Sequence, residues 1–404
     1  MAEKINVPEI RFAGFVDPWE QRKLGEFGSV AMCKRIYKEQ TSEQGDVPFF
    51  KIGTFGADPD AFISNELFED FKHTYPYPAP GTLLISAAGS IGRVVEYQGE
   101  KAYFQDSNIV WLEHDHRLND AFLKPLYSQI EWGLEGSTIK RLYNKDLLSA
   151  EVTIPDDREQ KEIGQFFAKL DNLITLHQRK HDKLAQLKKS MLDKMFPKPG
   201  EQFPEIRFAG FTDPWEQRKL GDVATITRGE RFTAADYVKS DGIPCIHYGE
   251  IYTDYGTVAT KTISQVKPSL RSSLRYAKPG DVIVATTSEN VEDVCKAVAW
   301  IGNSLVAYHD DSFALTFSGD PVFLVSFFET SGFYTQKSSV AHGVKVMRVS
   351  SDSLADINLP TPLVVEQRLI GSYFSRLDSL ITLHQRKLEL LRNTKKSLLD
   401  RMFV

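Results

Sequence analysis

The chain has 404 residues, of which 42% are apolar and 25% are charged, and its formal net charge is −5 at pH 7. This length allows two or three domains, and this composition is typical of a globular protein rather than of a disordered or fibrous one. The mild negative charge excludes a uniformly basic nucleic-acid-binding surface, so any such surface has to be a local cluster of basic residues.

Targeting and cysteine signals point to the cytoplasm. No run of residues reaches the roughly 20 apolar positions of a membrane span, and residues 1–12 lack the apolar core of a signal peptide. The three cysteines, Cys33, Cys245 and Cys295, are scattered along the chain without a paired motif. This usage favours a reducing compartment and argues against a disulfide framework or a zinc site. No membrane partner is therefore predicted.

The first segment of the chain occurs twice. Pro8–Gly25 returns as Pro204–Gly221, with 17 of 18 positions identical. The chain therefore consists of two repeats, each with a short lead-in segment, a globular region and a helix. Proline inside each lead-in segment prevents a continuous helix there, and the tryptophan beside it (Trp19 in the first copy) indicates a segment that docks onto the globular region. Residues 1–155 and 204–362 are predicted as lead-in segment plus domain.

The two globular regions share a pattern of short strands. Val47–Gly53 corresponds to Ile243–Gly249, and Pro80–Ala87 corresponds to Pro279–Thr286. In the second pair a Pro-Gly turn precedes an apolar strand. Outside these stretches the two regions differ far more than their flanks do. This pattern predicts two equivalent α+β domains with different loops.

Each domain is followed by a long predicted helix, at residues 156–196 and 363–404, with a linker at 197–203. Eight residues, Leu173–Lys180 and Leu380–Lys387, are identical in the two copies. Apolar residues at seven-residue steps predict coiled-coil-like helices roughly 60 Å long, each the natural partner of the other. The predicted helix seam consists of Ile163, Leu170, His177, Leu184, Met191, Ile370, Leu377, His384, Leu391 and Leu398. Phe166, Phe167, Leu173, Ile174 and Leu187 are predicted to fill the intervening positions.

Polar and small residues interrupt both helices at equivalent places. If the helices pack antiparallel, His177 and His384 meet near the centre of the pair, where a buried polar pair that fixes the register is favoured over a metal or pH role. Gly164 and Gly371 lie inside the helices, where glycine costs about 1 kcal/mol relative to alanine. They indicate either the close approach of another element or a tolerated defect.

Motifs for catalysis are missing from the sequence. It has no GxxxxGK[ST] phosphate loop, no glycine-rich methyl-donor loop after a strand, and no paired carboxylates with a lysine of the kind that nucleases use. No catalytic residue and no metal ligand is therefore predicted.

Candidate nucleic-acid contacts follow the Pro-Gly strands. In the first domain the glycine-rich stretch Ser86–Arg93 can bring backbone N–H groups to a phosphate, or it is an ordinary hairpin loop. In the second domain the aligned Thr286–Asn290 carries side chains that suit base edges or phosphates. The candidates of the first domain are Lys51, Ser86, Gly89, Ser90, Arg93, Lys140 and Arg141. Those of the second domain are Arg228, Arg231, His247, Tyr248, Thr286, Thr287, Ser288, Asn290, Lys337, Lys345 and Arg348.

This layout resembles the specificity subunit of type I restriction–modification systems over essentially the whole chain. The resemblance is carried by the repeats WEQRKLG and LDxLITLHQRK, by Ser90-Ile-Gly92, and by Glu-Gln at each helix start (Glu159-Gln160 and Glu366-Gln367). It implies two target-recognition domains separated by an antiparallel helix pair and related by a pseudo-twofold axis. Each domain would read one half of a bipartite, asymmetric target in double-stranded DNA, and helix length would set the spacer between the halves.

The resemblance also implies partners. Two methylation subunits and two restriction/translocation subunits would use S-adenosylmethionine, ATP and Mg²⁺, while this chain would bind no cofactor and carry out no catalysis itself. The setting would be the prokaryotic cytoplasm. Two alternatives remain open from the sequence: a scaffold or decoy that sequesters methylation subunits, and a self-contained DNA-modifying enzyme, which would need a donor-binding loop.

Overall fold

A computed structural model describes residues 6–132 and 141–404. The long helices span Asp157–Met195 and Val364–Met402. The chain forms two compact units, and the division falls within both helices: unit 1 comprises residues 1–176 and 388–404, and unit 2 comprises residues 177–387. Each unit therefore contains the first half of one long helix and the second half of the other. None of the helices in the described ranges has an apolar stretch of the length that a bilayer crossing requires.

Unit 1 contains two main sheets and one short strand pair. The antiparallel four-stranded sheet has the order Gly28–Ala31, Ile109–His114, Leu83–Ser86, Val94–Glu96. The three-stranded sheet has the order Phe62–Ile63, Val47–Phe50, Tyr103–Phe104, and its last two strands are parallel. The lead-in strand Glu20–Lys23 pairs with Glu151–Ile154. The shorter α-helices are Asn65–Thr74, Asp120–Tyr127 and Asn144–Ser149.

Unit 2 repeats this arrangement with additional strands. Its first sheet has the order Ala224–Arg228, Ser312–Phe317, Val282–Ala285, Ala297–Trp300, Val258–Ala259. Its second sheet has the order Tyr237–Val238, Ser264–Val266, Ile243–Ile246, Val306–Tyr308, Tyr276–Ala277. Two strand pairs complete it, Glu216–Lys219 with Asn358–Thr361 and Thr287–Ser288 with Met347–Arg348. The shorter α-helices are Leu220–Val223, Tyr248–Thr253, Pro321–Phe328, Ser331–Val340 and Ser351–Ala355.

The matched sheets confirm the prediction of two equivalent α+β domains. Both Pro-Gly turns precede a strand that is buried along its whole length, Leu83–Ser86 in unit 1 and Val282–Ala285 in unit 2. The glycines of these turns, Gly81 and Gly280, both have φ near +95°, a conformation that glycine adopts without steric cost. Each duplicated lead-in strand pairs with the strand that precedes the long helix of the same repeat. The lead-in segment thus joins the first and last strands of its domain.

Within each unit the two helix halves run antiparallel. In unit 1 the ring of Phe167 lies 6.0 Å from that of Phe403, and Lys395 Nζ lies 2.6 Å from Asp171 Oδ1. In unit 2 the His177–His384 contact and the Lys188–Asp378 ion pair show the same opposite order along the two segments.

The residues of the predicted helix seam are all buried or partly buried. Ile163 and Ile370 are 1% and 2% exposed and belong to the cores of their units. Of the intervening residues, Phe167 is buried and Phe166 and Ile174 are partly buried. Leu173 and Leu187 are 44% and 38% exposed, so the apolar stripe is narrower than predicted at these two positions.

A buried ion pair anchors the start of each long helix. Arg11 donates from Nε and Nη2 to the two carboxylate oxygens of Glu159, both at 2.7 Å, and the Glu159 side chain is fully buried. Arg207 and Glu366 repeat this fork at 2.7 and 2.8 Å. In unit 1 the indole of Trp19 adds a hydrogen bond of 3.2 Å to Glu159. The bidentate geometry explains why the lead-in segment and the helix start are duplicated together.

The next residue in each helix binds backbone groups. Gln160 accepts from the backbone N–H of Asn119 at 3.0 Å and donates to the carbonyl of Pro155 at 3.0 Å. Gln367 makes the equivalent bonds to Asp320 and Pro362, at 3.0 and 2.9 Å. The glutamine of each duplicated Glu-Gln pair therefore binds equivalent backbone groups in its unit.

The two helix glycines permit close packing. A Cβ atom added at Gly164 would lie 2.7 Å from the backbone carbon of Ala121, in the first turn of the helix Asp120–Tyr127. At Gly371 it would collide with the Asp320 carboxylate, which caps Pro321–Phe328. The structure thus favours close approach over a tolerated defect.

Candidate DNA interface

The glycine-rich loop of unit 1 is a closed hairpin. Ser86 and Arg93 form a backbone hydrogen bond of 2.9 Å, and Gly92 N–H donates to the Ser86 carbonyl at 3.0 Å. Gly89 and Gly92 have φ of +66° and +79°. A Cβ at Gly92 would lie 2.5 Å from the indole nitrogen of Trp132, so only glycine fits there. The N–H groups of Ile91, Gly92 and Arg93 are used within the loop, which leaves its exposed tip, Gly89 and Ser90, to face a ligand.

Two of the predicted cations, Arg93 and Arg141, lie at this loop. Arg93 is exposed and donates to the Gly56 carbonyl at 3.0 Å. Lys51 pairs with Asp60 at 2.9 Å. Arg141 donates to the Ser107 carbonyl at 3.0 Å and forms a backbone bridge with Ala88. Lys140, also predicted, lies outside the described residues. The structure therefore brings Arg93 and Arg141 to one loop, and the contact of all three described cations with DNA remains a prediction.

Unit 2 places its polar stretch in the equivalent position. Thr287–Ser288 pairs with Met347–Arg348, so Arg348 lies beside Thr287 as Arg141 lies beside Ala88 in unit 1. Asn290 closes the following turn, since its amide donates to Asp293 at 2.9 Å and its carbonyl oxygen accepts the Asp293 N–H at 2.7 Å. The side chains of Thr287 and Ser288 are partly exposed, and that of Asn290 is exposed.

Three predicted contacts need correction because their side chains point inward. Ser86 is 1% exposed, and its hydroxyl binds the Ser90 carbonyl and the Arg93 N–H. Thr286 is buried and donates to the Asp311 carbonyl at 3.0 Å. Lys337 is buried and donates to the carbonyls of Glu292 and Val294 at 2.7 and 2.8 Å, while burial lowers the pKa of its ammonium group. These side chains support the loops and leave no surface for DNA.

An aromatic and histidine cluster lies beside the loop of unit 2. His247 caps the helix Tyr248–Thr253 by accepting the Gly249 N–H at 3.1 Å. The centre of its ring lies 4.4 Å from that of Tyr248, with the two planes tilted by 46°, and 5.5 Å from that of His309. Burial lowers the pKa of His247, and His309 lowers it further. The sequence pattern did not single out His309, although Tyr308–Ser312 matches Tyr103–Ser107 in the sequence.

The remaining predicted cations of unit 2 are exposed. Arg228 donates to the Asp310 carbonyl at 2.9 Å and keeps 60% of its side chain exposed. Arg231 and Lys345 are also exposed. The chain therefore offers positive charge at the loops of both units even though its net charge is negative.

One group of side chains in the described ranges has the donor set of a metal site, namely His309, Asp310 and Asp311. The ring nitrogens of His309 already have partners: Nε2 lies 3.1 Å from the Phe232 carbonyl oxygen, and Nδ1 lies 3.2 Å from the Asp311 backbone nitrogen. Neither nitrogen is free to bind a metal ion. The group instead fixes the turn that follows the strand Val306–Tyr308.

Comparison with known proteins shows which family this chain matches. The family described as type I restriction modification DNA specificity domain matches residues 16–186 and again residues 212–393. A proposed type I restriction enzyme specificity subunit of Haemophilus influenzae is 51% identical over 153 residues, which are 37% of this chain and 40% of that protein. A type I restriction enzyme specificity subunit of Methanocaldococcus jannaschii is 21% identical over 329 residues, 79% of this chain and 75% of that protein. The crystal structure of a type I restriction–modification S subunit from M. genitalium superposes with a TM-score of 0.58 at 15% identity, covering 98% of this chain and 99% of the other, which shows a shared fold.

Proposed function

Because this chain belongs to the family of type I restriction modification DNA specificity domains, we propose that its two units each read one half of a bipartite, asymmetric target in double-stranded DNA. Its role is recognition of DNA rather than catalysis. In this proposal the chain directs adenine methylation and restriction, and partner subunits perform both reactions.

One observation carries this proposal: an equivalent framework presents different chemistry at an equivalent place. The strands Leu83–Ser86 and Val282–Ala285 occupy equivalent places in their sheets. The first lies between Ile109–His114 and Val94–Glu96, and the second lies between Ser312–Phe317 and Ala297–Trp300. The loop after the first is glycine-rich and flanked by cations, while the loop after the second offers hydroxyl and amide groups. Hydrogen-bonding side chains at a fixed position suit direct reading of base edges, and different sets of them suit different half-sites.

The long helices support a spacer role. Each has 39 residues, which corresponds to roughly 60 Å and a little under two turns of B-DNA. We propose that their length sets the number of unspecified base pairs between the half-sites.

The partners follow from the same assignment. We propose two methylation subunits and two restriction/translocation subunits, which use S-adenosylmethionine, ATP and Mg²⁺ in the prokaryotic cytoplasm. Positive charge from these partners supplements the exposed arginines and lysines, because phosphate contacts supply most of the affinity for DNA.

A domain exchange tests the proposal. Residues 24–150 are replaced by the equivalent domain of another family member, which keeps the strand pair Glu20–Lys23 with Glu151–Ile154. The chain is produced with its methylation subunits, and methylated adenines are mapped genome-wide. We expect one half of the methylated sequence to change and the other half to stay the same. An unchanged sequence would favour the decoy or scaffold alternative, and methylation without sequence preference would contradict recognition altogether.

A further inference from the structure

A rigid hairpin lies beside the polar loop of unit 2. It consists of residues 342–348, and its ends are joined by two backbone hydrogen bonds between His342 and Arg348, of 3.0 and 2.8 Å. Its last two residues pair with Thr287–Ser288. Gly343 has φ of +135°, and a Cβ there would be closer to the Val346 carbonyl oxygen than van der Waals contact allows. The turn is thus fixed by glycine and by backbone pairing.

The tip of this hairpin combines apolar and positive groups. Val344 is 100% exposed and Val346 is 41% exposed, with the exposed Lys345 between them. Arg348 at the end of the hairpin is also exposed. Among the described residues no other large apolar side chain reaches the exposure of Val344. A fully exposed valine buries no apolar surface within its unit, so its side chain is available for contact with another molecule.

The flanking charges identify the chemistry of that partner. A polyanion such as DNA compensates the positive charges of Lys345 and Arg348. In the major groove of DNA the apolar group is the C5-methyl group of thymine, which suits contact with a valine side chain. Resting on the proposed function, we propose that Val344 is a specificity-determining residue that contacts a thymine methyl group in the half-site read by unit 2. Lys345 binds phosphate nearby and is indifferent to sequence.

Deoxyuridine lacks only the methyl group of thymine, so it tests this contact directly. The complex of the full chain with its methylation subunits is bound to duplexes of its mapped target in which each thymine is replaced in turn by deoxyuridine. We expect one replacement to weaken binding by about fourfold, the factor that corresponds to burial of one methyl group. With Val344→Ala this replacement makes no further difference, while the parent duplex binds about fourfold more weakly than it binds wild type.

Two control variants separate this contact from general effects. Val365→Ala removes another exposed valine of unit 2, 62% exposed, and leaves the sensitivity to deoxyuridine unchanged. Lys345→Gln weakens all duplexes equally and reduces the salt dependence of binding. The proposal is overturned if the unit 2 half-site contains no thymine, if no deoxyuridine weakens binding, or if Val344→Ala keeps the wild-type sensitivity. Loss of all sequence preference in the wild-type complex would instead contradict the proposed function, and this proposal with it.

Discussion

The buried starts of the two long helices are nearly the same in the two units. The loops after the Pro-Gly strands, in contrast, differ strongly between the units. At the helix starts, Arg11–Glu159 and Arg207–Glu366 are the same fork with the same burial. In the loops, Ser86–Arg93 and Thr286–Asn290 share a position and little else. A buried charge tolerates no change in its partner, whereas a loop closed by backbone hydrogen bonds tolerates many side chains.

The same contrast holds within a single turn of helix. Glu-Gln is buried in both copies, but the three residues before it are exposed and differ completely. Unit 1 has Asp156, Asp157 and Arg158, and unit 2 has Leu363, Val364 and Val365 at these positions. Identity between the copies therefore follows burial and hydrogen bonding rather than position along the chain.

The largest effect is expected from the anchors. Arg11→Ala and Arg207→Ala each leave a fully buried carboxylate unpaired, which costs about 3–5 kcal/mol. Arg207→Ala should cost more, because Glu159 keeps its bond to Trp19 whereas the Trp215 indole N–H has no partner among the described residues. Chemical denaturation measures the free energy of unfolding. Arg22→Ala, which removes two exposed ion pairs, is the control and should cost less than about 1 kcal/mol. A loss at either anchor as small as that of the control would contradict the role of the buried charge.

The next effect is expected from the helix glycines. Gly164→Ala places Cβ against backbone atoms of Ala121, which cannot move without shifting a helix. We expect a loss of about 1–3 kcal/mol, although alanine is the better helix former. Gly371→Ala meets the side chain of Asp320, which can move at the cost of its cap bond to Phe323, so its loss should be smaller. Thermal denaturation of both variants measures the two losses of stability. A larger loss for Gly371→Ala than for Gly164→Ala would show that the helix contact at Gly164 accommodates the added methyl group more easily.

The periodic and buried parts of the fold were predictable from the sequence. Heptad spacing predicted the long helices, and Pro-Gly turns before apolar runs predicted the central strands. The inward orientation of Ser86 and Lys337 was not predictable, because it depends on which carbonyls the sheet brings within reach. His309 escaped notice for the same reason: its position beside His247 results from the parallel pairing of Ile243–Ile246 with Val306–Tyr308, two strands distant in sequence. Sequence patterns specify elements, while tertiary contacts decide which polar side chains remain available.

A smaller effect should distinguish two equivalent lysines of the long helices. Lys188 contacts Glu329 at 2.5 Å and Asp378 at 2.7 Å, and its side chain is 15% exposed. Burial alone would lower the pKa of Lys188, but these two carboxylates outweigh burial and raise it. Its counterpart Lys395 has Asp171 as its one ion-pair partner among the described residues, and the side chain of Lys395 is 27% exposed. Lys188→Met should cost about 1–2 kcal/mol and Lys395→Met less than about 1 kcal/mol in chemical denaturation. Equal losses would mean that Glu329 adds nothing to the helix contact.

The smallest effect concerns pH and the paired histidines of unit 2. His177 Nδ1 and His384 Nδ1 lie 2.7 Å apart, so one ring donates a proton and the other accepts it. Burial lowers the pKa of His384, and the charges of His177, Lys180, Lys387 and His181 lower it further. The unfolded chain therefore binds this proton more readily than the folded chain. The contribution of neutral His384 to the free energy of unfolding is fully present above the unfolded pKa of about 6.5, and it is lost as the pH falls through the folded pKa. Melting temperatures between about pH 7.5 and about pH 5.5 should fall less in His384→Asn than in wild type, while His73→Asn, which removes an exposed histidine of unit 1, keeps the wild-type slope. A wild-type slope in His384→Asn would assign the pH dependence to other groups.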